Sequence, residues 1–500
     1  MVNSAPKRPA FLWSLLPCAG VLCLAAWLRG AEYDEQYTLF LTAGVPRPDW
    51  PAAVFTAGLA RQLQAGHAGL SGIAHNLRVT DVHPPLYFWL VALWRDVFGP
   101  SLFVARLLSV LLGLGSLALV GIIARIARLP PVPAMLFTLG CYGFTYTSVV
   151  ARGFALAELL VLGGVACVLA GRRVWHFAVA GMLFGAATLT NYLAVFVALA
   201  GLLALGVPAL RSSTALRVVP AAASVTGFLL FIPADLWWFL AQRGSRLDQF
   251  PPFALTQSLT RLAVRFTGDI LGGLPLYVAG TPSMLLTAAL GLFLIWLGGC
   301  VIRSWPRIGT PLARWLFAMA AVAPAGGLLI LGAIFNNTPI EVRYLTFATP
   351  FVGLLLAGAV GWRSAALLLA VQGASLAGLM LAPQTMQPAR AAASAAASWV
   401  DDGVVLLPRG NDGVGVVGAF AIEAPPNLPL LLIPALASPA QIRAGIRPWH
   451  RVVLALLQQD AASRAASTAM RQALTDPGWR LVAFAPNLAV YQRTAEGNPP

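Results

Sequence analysis

Long apolar stretches separated by short basic segments make up most of residues 1–382. A helix of about 20 apolar residues spans the hydrocarbon core of a bilayer, and it satisfies its own backbone hydrogen bonds there. The pattern therefore predicts a polytopic α-helical membrane protein with about eleven transmembrane helices. We expect the spans near residues 11–28, 101–124, 131–150, 153–171, 174–190, 192–210, 216–240, 277–302, 312–335, 344–361 and 364–382.

The basic residues of the short loops predict the orientation of these spans. Cytoplasmic loops carry an excess of Lys and Arg, and the clusters in this chain are Lys7/Arg8, Arg125/Arg128, Arg172/Arg173, Arg211/Arg217, Arg303/Arg307/Arg314 and Arg363. Placing all of them inside predicts a cytoplasmic N-terminus and an external C-terminal segment. The first apolar run lacks a convincing cleavage site and many spans follow it, so we interpret it as a retained helix.

Residues 29–100 then form one long external loop. Its segment "HPPLYFWLVALWRDVFG" (83–99) is apolar, but it is short and is interrupted by Arg95 and Asp96. Counting this segment as a span would put every later basic loop on the outer side of the membrane. We therefore predict that residues 83–99 form a helix at the outer interface. A second amphipathic helix is predicted within residues 50–69.

Residues 383–500 have a different texture. Short β-type runs at 403–410, 428–434, 451–457, 480–484 and 488–493 alternate with helical patterns near 411–422, 438–446 and 460–474, after a helical lead-in at 389–399. Alternating strands and helices predict a small α/β domain. We therefore expect two domains, a transmembrane domain (1–382) and an external α/β domain (383–500). The Gly-rich "RGNDGVG" (409–415) fits neither the dinucleotide-binding fingerprint nor a P-loop, and it is predicted to be a loop.

The charge distribution and the cysteine positions argue against a nucleic acid partner and against a zinc site or a disulfide framework. The net charge is +15, but residues 383–500 hold nine Arg against seven acids, a net of +2, so +13 belongs to the loops of the apolar part. Basic loops between spans account for this charge without a nucleic acid partner. The five cysteines lie in apolar runs without zinc-ligand or disulfide spacing, which predicts buried thiols.

With this topology, the unusual polar residues collect on the outer side. Ionisable groups near membrane depth are costly and usually face a polar cavity. A carboxylate pair beside arginines from several helices suggests a general base next to a bound phosphate. The candidates are Asp34, Glu35, His83, Arg106, Arg152, Tyr192, Arg343 and Tyr344, with Asp235, Gln242 and Arg243 at the end of the seventh span.

Several of these residues have a simpler interpretation. Arg106 and Arg343 could each be an interfacial anchor, and His83 could cap the helix that follows it. For Glu158, inside the fourth span, a hydrogen bond between helices is the favoured interpretation.

Five motifs, taken in order, resemble GT-C glycosyltransferases of the dolichyl- and polyprenyl-phosphate-sugar class. This class includes the protein O-mannosyltransferases and the bacterial lipid A aminoarabinose transferases. The motifs are "YDEQYT", "HPPLYFWLVALWRDVFGPSLFVARLLSVLLG", "YTSVVARGFAL", "LTNYLA" and "EVRYLTFATP". The resemblance covers residues 1–382 in pattern and is strongest in 31–115. At "LTNYLA" the chain has Asn191 where the class often has His or Lys, so the resemblance implies no charged group there.

The resemblance implies an inverting transfer of one sugar from a polyprenyl-phosphate donor to an acceptor hydroxyl or phosphate. Asp34 matches the catalytic aspartate of the class and Glu35 its partner, while Arg106, Arg152 and Arg343 match positions near the donor phosphate. The implied location is the periplasmic face of a bacterial inner membrane. Glycolipid, polysaccharide and protein acceptors all fit.

Two questions stay open at this point: whether the reaction needs a metal ion, and whether the protein is an enzyme, a transporter or a scaffold. The motifs imply no nucleotide, and a divalent cation (Mg²⁺ or Mn²⁺) bridging a carboxylate to the phosphate stays open because the chain has no dedicated ligand cluster. A secondary transporter would show an internal repeat with matching broken helices, and no such symmetry is visible in the sequence. A non-catalytic membrane scaffold would leave Asp34 and the arginines unexplained.

Overall fold

The computed structural model describes residues 10–212, 214–242, 251–400 and 402–494. Of the residues named above, Lys7, Arg8 and Arg243 lie outside the described residues. Helices dominate as far as Leu381, and strands appear mainly after residue 402.

The helices up to Leu381 are, in chain order, α1 (Leu15–Leu28), α2 (Tyr33–Thr42), α3 (Gly58–Gln64), α4 (Leu70–Thr80), α5 (Leu86–Phe98), α6 (Leu102–Ile126), α7 (Pro131–Gly140), α8 (Tyr142–Ser148), α9 (Phe154–Ala170), α10 (Val174–Thr188), α11 (Val195–Ser212), α12 (Ala215–Leu229), α13 (Ile232–Gln242), α14 (Leu255–Leu271), α15 (Thr281–Ser304), α16 (Pro311–Phe335), α17 (Val342–Leu345), α18 (Thr349–Ala359) and α19 (Trp362–Leu381). The remaining helices are α20 (Ala389–Ala397), α21 (Gly415–Glu423), α22 (Pro439–Ile446) and α23 (Ala461–Ala473). The strands are β1 (Phe55–Thr56), β2 (Gly403–Pro408), β3 (Pro429–Ile433), β4 (Arg451–Ala455), β5 (Trp479–Ala485) and β6 (Leu488–Arg493).

Seven helical segments of the described chain are long and apolar enough to cross a membrane. They become eight if the bent pair formed by α12 and α13 is one span. Shorter apolar helices, α7, α9 and α10, occupy the other three predicted positions. Together with the small C-terminal sheet, these helices confirm the predicted fold class of a polytopic α-helical membrane protein with a C-terminal α/β part.

The chain folds into two compact units. The first unit contains residues 1–27, 77–87 and 106–382, and the second contains 28–76, 88–105 and 383–500. Most residues of the predicted first external loop therefore share a unit with the C-terminal α/β segment.

In the first unit, α10 packs between α9 and α12. The predicted span 131–150 is broken at Cys141, where α7 ends and α8 begins. Helix α19 is fastened to the end of α14, because Gln372 Nε2 donates to the Ile270 carbonyl at 3.0 Å and Ser375 Oγ to the Leu271 carbonyl at 3.0 Å. These bonds supply partners to carbonyls that a helix end leaves without one.

The second unit contains a sheet with the strand order β1-β3-β2-β4-β6-β5. Its centre is parallel, with Val405 opposite Leu430 and Val453, and β1, β5 and β6 pair antiparallel. Strand β2 is buried along its whole length. Its side chains alternate between the two cores, Val405 packing with α20 and α21 on one face and Val404 with α22 and α23 on the other.

All five predicted β runs after residue 402 form strands, and "RGNDGVG" leads from β2 to α21 without regular structure at residues 409–414. Strand β1 was not predicted. Its two residues, Phe55 and Thr56, pair with Leu430 and Pro429 of β3. The amphipathic helix expected within residues 50–69 is correspondingly shorter, because α3 begins only at Gly58.

Helix α5 is not among the helices long and apolar enough to cross a membrane. Its Arg95, which interrupts the apolar run in the sequence, is buried and donates to the carbonyls of Leu39 (3.1 Å) and Gln64 (2.5 Å) and to the Thr42 hydroxyl. Burial lowers the pKa of Arg95 to about 10, against the opposing effect of Asp96. The arginine thus fastens α5 to the end of α2.

Candidate functional site

Asp34 and Glu35 lie in the first turn of α2, in the second unit. Glu32 precedes the helix, is buried, and forms an ion pair with buried Arg29. Acidic side chains at a helix N-terminus interact favourably with the helix dipole and with its unpaired N–H groups. The sequence "EYDEQ" therefore starts a helix where it concentrates negative charge.

The two acids of the predicted pair have different surroundings. Glu35 is fully buried, and its Oε2 accepts a hydrogen bond from the Glu32 N–H at 3.0 Å. This bond is one half of a capping box and holds the start of α2. Asp34 is half-buried. Glu35 therefore contributes to local structure, and Asp34 is the more accessible carboxylate.

In the first unit, His83 and Arg152 meet around Asp81. Asp81 Oδ1 lies 2.9 Å from His83 Nδ1, and Asp81 Oδ2 lies 3.7 Å from Arg152 Nη1. Arg152 Nη2 lies 3.2 and 3.3 Å from the two ring nitrogens of His83. Asp81 and Arg152 are buried at 3% exposure, whereas His83 is half-buried. A neutral His83 with its proton on Nδ1 donates to Asp81 and accepts from Arg152 through Nε2.

Local sequence explains how this cluster forms. Pro84 and Pro85 follow His83 and directly precede α5, which begins at Leu86. Proline suits the start of a helix and restricts the conformation of the residue before it, so His83 is held just outside the helix. The residue after Arg152 is Gly153, where a Cβ atom would lie 3.0 Å from the Thr190 carbonyl and 3.3 Å from the Tyr87 Cβ. A side chain at Gly153 would therefore crowd Thr190 and Tyr87, and Tyr87 lies on the helix that follows His83.

Tyr192 connects to the same cluster through Gln242. The Tyr192 hydroxyl donates to Gln242 Oε1 at 2.9 Å, and Gln242 Nε2 donates to the carbonyls of His83 (2.9 Å) and Leu77 (3.0 Å). Asn191 accepts a bond from the Leu193 N–H and shapes its own turn. The bent pair of α12 and α13 is thus tied to the backbone of the residue that contacts Arg152.

Arg106 lies in the first turns of α6, is buried at 2% exposure, and donates to the Ala26 carbonyl at 2.9 Å. One turn further along α6, the Ser109 hydroxyl lies 3.2 Å from the hydroxyl of the buried Tyr87. Because the Arg106 guanidinium is buried and donates to a backbone carbonyl, it is more than an exposed interfacial anchor.

Arg343 and Tyr344 lie on the single turn α17, where the Arg343 guanidinium is 5.3 Å from the centre of the Tyr344 ring. The neighbouring Glu341 is 3.7 Å from Arg265 of α14. The segments bearing Arg343 and Arg152 run side by side, because Thr346 lies 3.0 Å from Thr147 and the ring centres of Phe347 and Phe154 are 6.3 Å apart. Both Arg343 and Tyr344 are partly exposed.

Asp81 is a site residue that the sequence motifs did not indicate. Its position two residues before His83 is a usable sign, because an acid that close can orient an imidazole. Among the described residues, no group of three or more His, Cys, Asp or Glu side chains is placed to hold a metal ion.

A second pair of acids is buried, Glu158 on α9 and Asp269 on α14. Neither oxygen of Glu158 nor of Asp269 has a hydrogen-bond partner among the described residues, so the interhelical bond expected of Glu158 is not observed. Asp269 Oδ1 abuts Gly143, where any side chain would clash with it. Burial raises the pKa of Asp269 well above its usual value.

No family model matches the chain, and no curated protein matches it. Among solved structures, the chain is similar to ArnT from Cupriavidus metallidurans bound to undecaprenyl phosphate, with 13% identity and a TM-score of 0.48 over 98% of this chain and 99% of that one. It is also similar to the Archaeoglobus fulgidus oligosaccharyltransferase in complex with Zn and sulfate, with 14% identity and a TM-score of 0.38 over 88% and 68%. Both neighbours are GT-C glycosyltransferases, the class that the sequence motifs resemble.

Proposed function

We propose that this protein is a membrane glycosyltransferase that moves one sugar from a polyprenyl-phosphate donor to an acceptor hydroxyl, with inversion at the anomeric carbon. The observation that carries the proposal is the cluster that the buried Asp81 and Arg152 form with His83, the first residue of the "HPPL" motif. Buried charges in a membrane protein are costly, and they mark functional sites more often than structural ones.

The arginines suit the donor phosphate. When the bond between the sugar C1 and the phosphate breaks, negative charge develops on the departing lipid phosphate. Prearranged cations at that point lower the barrier, because their stabilisation grows with the charge. Arg152, Arg106 and Arg343 are the proposed phosphate ligands, and the guanidinium fork matches phosphate geometry. Asp81 orients Arg152 and His83 for this task.

Asp34 suits the acceptor. In the proposed reaction its carboxylate takes the proton from the acceptor hydroxyl as the oxygen attacks C1 from the face opposite the phosphate. Its half-buried position in the first turn of α2 leaves it more accessible than Glu35. Glu35 holds the helix start through the Glu32 N–H and is assigned a supporting role. Positioning of the two substrates supplies much of the remaining rate enhancement.

The lipid donor requires no nucleotide. A divalent cation would have to be held mainly by water and substrate oxygens, since Asp34 is the one accessible carboxylate of the pair. No step of the proposed mechanism passes through a metal ion. We place the reaction on the periplasmic face of a bacterial inner membrane, with a cytoplasmic N-terminus and residues 383–500 in the periplasm. The acceptor class is a glycolipid, a polysaccharide or a protein.

The test combines a deletion strain with a purified protein. Mass spectrometry of envelope lipids and glycans should show one product lacking a single sugar in the deletion strain, restored by the wild-type chain. Purified protein should then transfer that sugar from its undecaprenyl-phosphate form to the acceptor. An unchanged envelope, together with substrate uptake into proteoliposomes, would favour the transporter alternative.

A further inference from the structure

Helix α2 is fixed at its start by two residues of the C-terminal segment, Glu423 and Arg390. Glu423 Oε1 accepts a hydrogen bond from the Ala31 N–H at 2.6 Å, and Glu423 Oε2 accepts one from Arg390 Nε at 2.8 Å. Arg390 in turn donates through Nη1 to the Leu28 carbonyl at 3.0 Å. The ion pair therefore holds the segment 28–31, just before α2, through the Leu28 carbonyl at one end and the Ala31 N–H at the other.

A buried apolar contact lies next to this ion pair. Ala31 is fully buried and packs with Ala389 of α20 and Ala419 of α21, which are also fully buried. The Glu423 side chain is 12% exposed and that of Arg390 41% exposed. Hydrogen bonds between charged groups and a backbone amide in such surroundings are stronger and more directional than neutral ones at the surface.

The body of α2 also lies close against α21. A Cβ atom at Gly418 would lie 2.9 Å from Gln36 Oε1 and 2.9 Å from the Phe40 ring. The Tyr37 hydroxyl donates to Asp412 at 2.7 Å, in the loop before α21. Arg95 holds the end of α2 through the Leu39 carbonyl and the Thr42 hydroxyl. The helix is thus held at its start, along one face and at its end.

We infer that Glu423, together with Arg390, is a positioning pair for Asp34, and that this is a function of the C-terminal α/β segment. Asp34 follows Ala31 by three residues, so a shift of residues 28–31 is passed directly to its carboxylate. The inference rests on the proposed function, in which Asp34 is the base. A base displaced by about 1 Å can cost up to ~100-fold in rate.

The test uses the full-length protein in detergent or nanodiscs, with the variants Glu423→Ala and Glu423→Gln. The matched control is Ser438→Ala, which removes the cap of α22 (Ser438 accepts from the Gln441 N–H), on the other face of the sheet. Hydrogen–deuterium exchange is measured on peptides covering residues 29–42, β2 and β4. Glu423→Ala should raise exchange at 31–37 by about tenfold and leave β2 and β4 unchanged, because only local opening is affected.

Glutamine keeps one carbonyl acceptor for the Ala31 amide, so Glu423→Gln should give an intermediate increase in exchange. In the complemented deletion strain, Glu423→Ala should lower the restored envelope product by about tenfold, Glu423→Gln by less, and Ser438→Ala by less than about twofold, all at equal protein level. This graded rescue is not expected if the pair only stabilises the fold.

Two results would overturn the inference. One is an unexpected exchange pattern in Glu423→Ala, with exchange at 31–37 unchanged or raised throughout β2 and β4 as well. The other is an activity loss in Ser438→Ala equal to that in Glu423→Ala. Asp34→Asn serves as the reference for the proposed function. If Asp34→Asn transfers normally, the proposed function fails, and the exchange pattern alone decides whether the pair positions α2.

Discussion

Nδ1 of His83 lies 2.9 Å from Oδ1 of Asp81, and the guanidinium of Arg152 lies beside both side chains. A carboxylate here orients two groups at once, since its other oxygen faces Arg152. The arrangement links a motif residue of the first loop to an arginine that is 69 residues away in the sequence.

The first prediction concerns Asp81. Asp81→Asn removes the charge that orients Arg152 and His83, so we expect the apparent KM for the polyprenyl-phosphate sugar to rise by about tenfold, the scale of losing one oriented charge contact. Steady-state kinetics across donor concentrations measure it. Asp96→Asn is the matched control, because Asp96 contacts His67 in an exposed pair. Equal kinetics in the two variants would contradict the assigned role of Asp81.

The second prediction concerns Arg343. Arg343→Lys should fold normally and lose most transfer, because an ammonium group cannot reproduce a planar bidentate contact with phosphate. We expect a combined loss of about tenfold or more, divided between a raised donor KM and a lowered kcat. An interfacial anchor would tolerate lysine.

The control for Arg343→Lys is Arg363→Lys. Arg363 lies 5.2 Å from the Trp362 ring, much as Arg343 lies 5.3 Å from the Tyr344 ring, but it belongs to a predicted cytoplasmic loop. Wild-type kinetics in Arg343→Lys would make this residue an ordinary interfacial arginine.

The third prediction concerns stability and pH at Asp269. Its raised pKa means that the folded protein binds a proton that the unfolded chain releases above about pH 4. The contribution of Asp269 to stability is therefore greatest below that pH and is lost as the pH rises toward the folded pKa. The side chain in Asp269→Asn is neutral at every pH, so the variant does not undergo this fall in stability as the pH rises.

We expect Asp269→Asn to gain thermal stability relative to wild type as the pH rises from 5 to 8, by at least about 2 °C at pH 8. Differential scanning fluorimetry at several pH values measures the difference. Glu158 and Cys141 are neighbouring titratable groups, and Asp476→Asn at an exposed turn is the control. A difference from wild type that does not change with pH would contradict the burial of an uncharged carboxyl group.

The fourth prediction concerns orientation. Leu436 in the C-terminal segment is 97% exposed, and Trp362 between the last two predicted spans is 77% exposed. In spheroplasts, Leu436→Cys should react with a membrane-impermeant maleimide and Trp362→Cys should react only after lysis. The wild-type chain, with its five cysteines in apolar segments, is the background control. The opposite labelling would put Asp34 on the cytoplasmic side.

The C-terminal elements could be predicted closely from the sequence because their information is local. A run such as "GVVLLP" in β2 is buried on both faces and has few alternatives as a strand. Strand β1 could not be predicted in this way, because its two residues become a strand only through pairing with β3, more than 370 residues later. The long apolar helices could be located to within a few residues from hydropathy alone, but the helix α14 and the breaks within the spans predicted at 131–150 and 216–240 could not.

The site was predictable in part. Motif spacing identified Asp34, His83 and Arg152 as candidates, but not the contact between His83 and Arg152, which depends on how the loop folds back. The bond between Ala31 and Glu423 joins residues 392 positions apart, and neither residue has a distinctive local pattern. Glu35 also shows the limit of a motif, since its side chain takes part in capping α2.

The central claim is that Asp34 is the base of a sugar transfer from a polyprenyl-phosphate donor. Asp34→Asn keeps the shape of the side chain and removes its basicity, so transfer should fall at least ~100-fold, the usual scale of general base catalysis, while the protein level and the melting temperature stay close to wild type. Asp49→Asn, an exposed acid in the same loop, should transfer normally. The decisive measurement is the initial rate of sugar transfer by purified Asp34→Asn at saturating donor. A rate below 1% of wild type is expected from this mechanism, and a near-wild-type rate would contradict it.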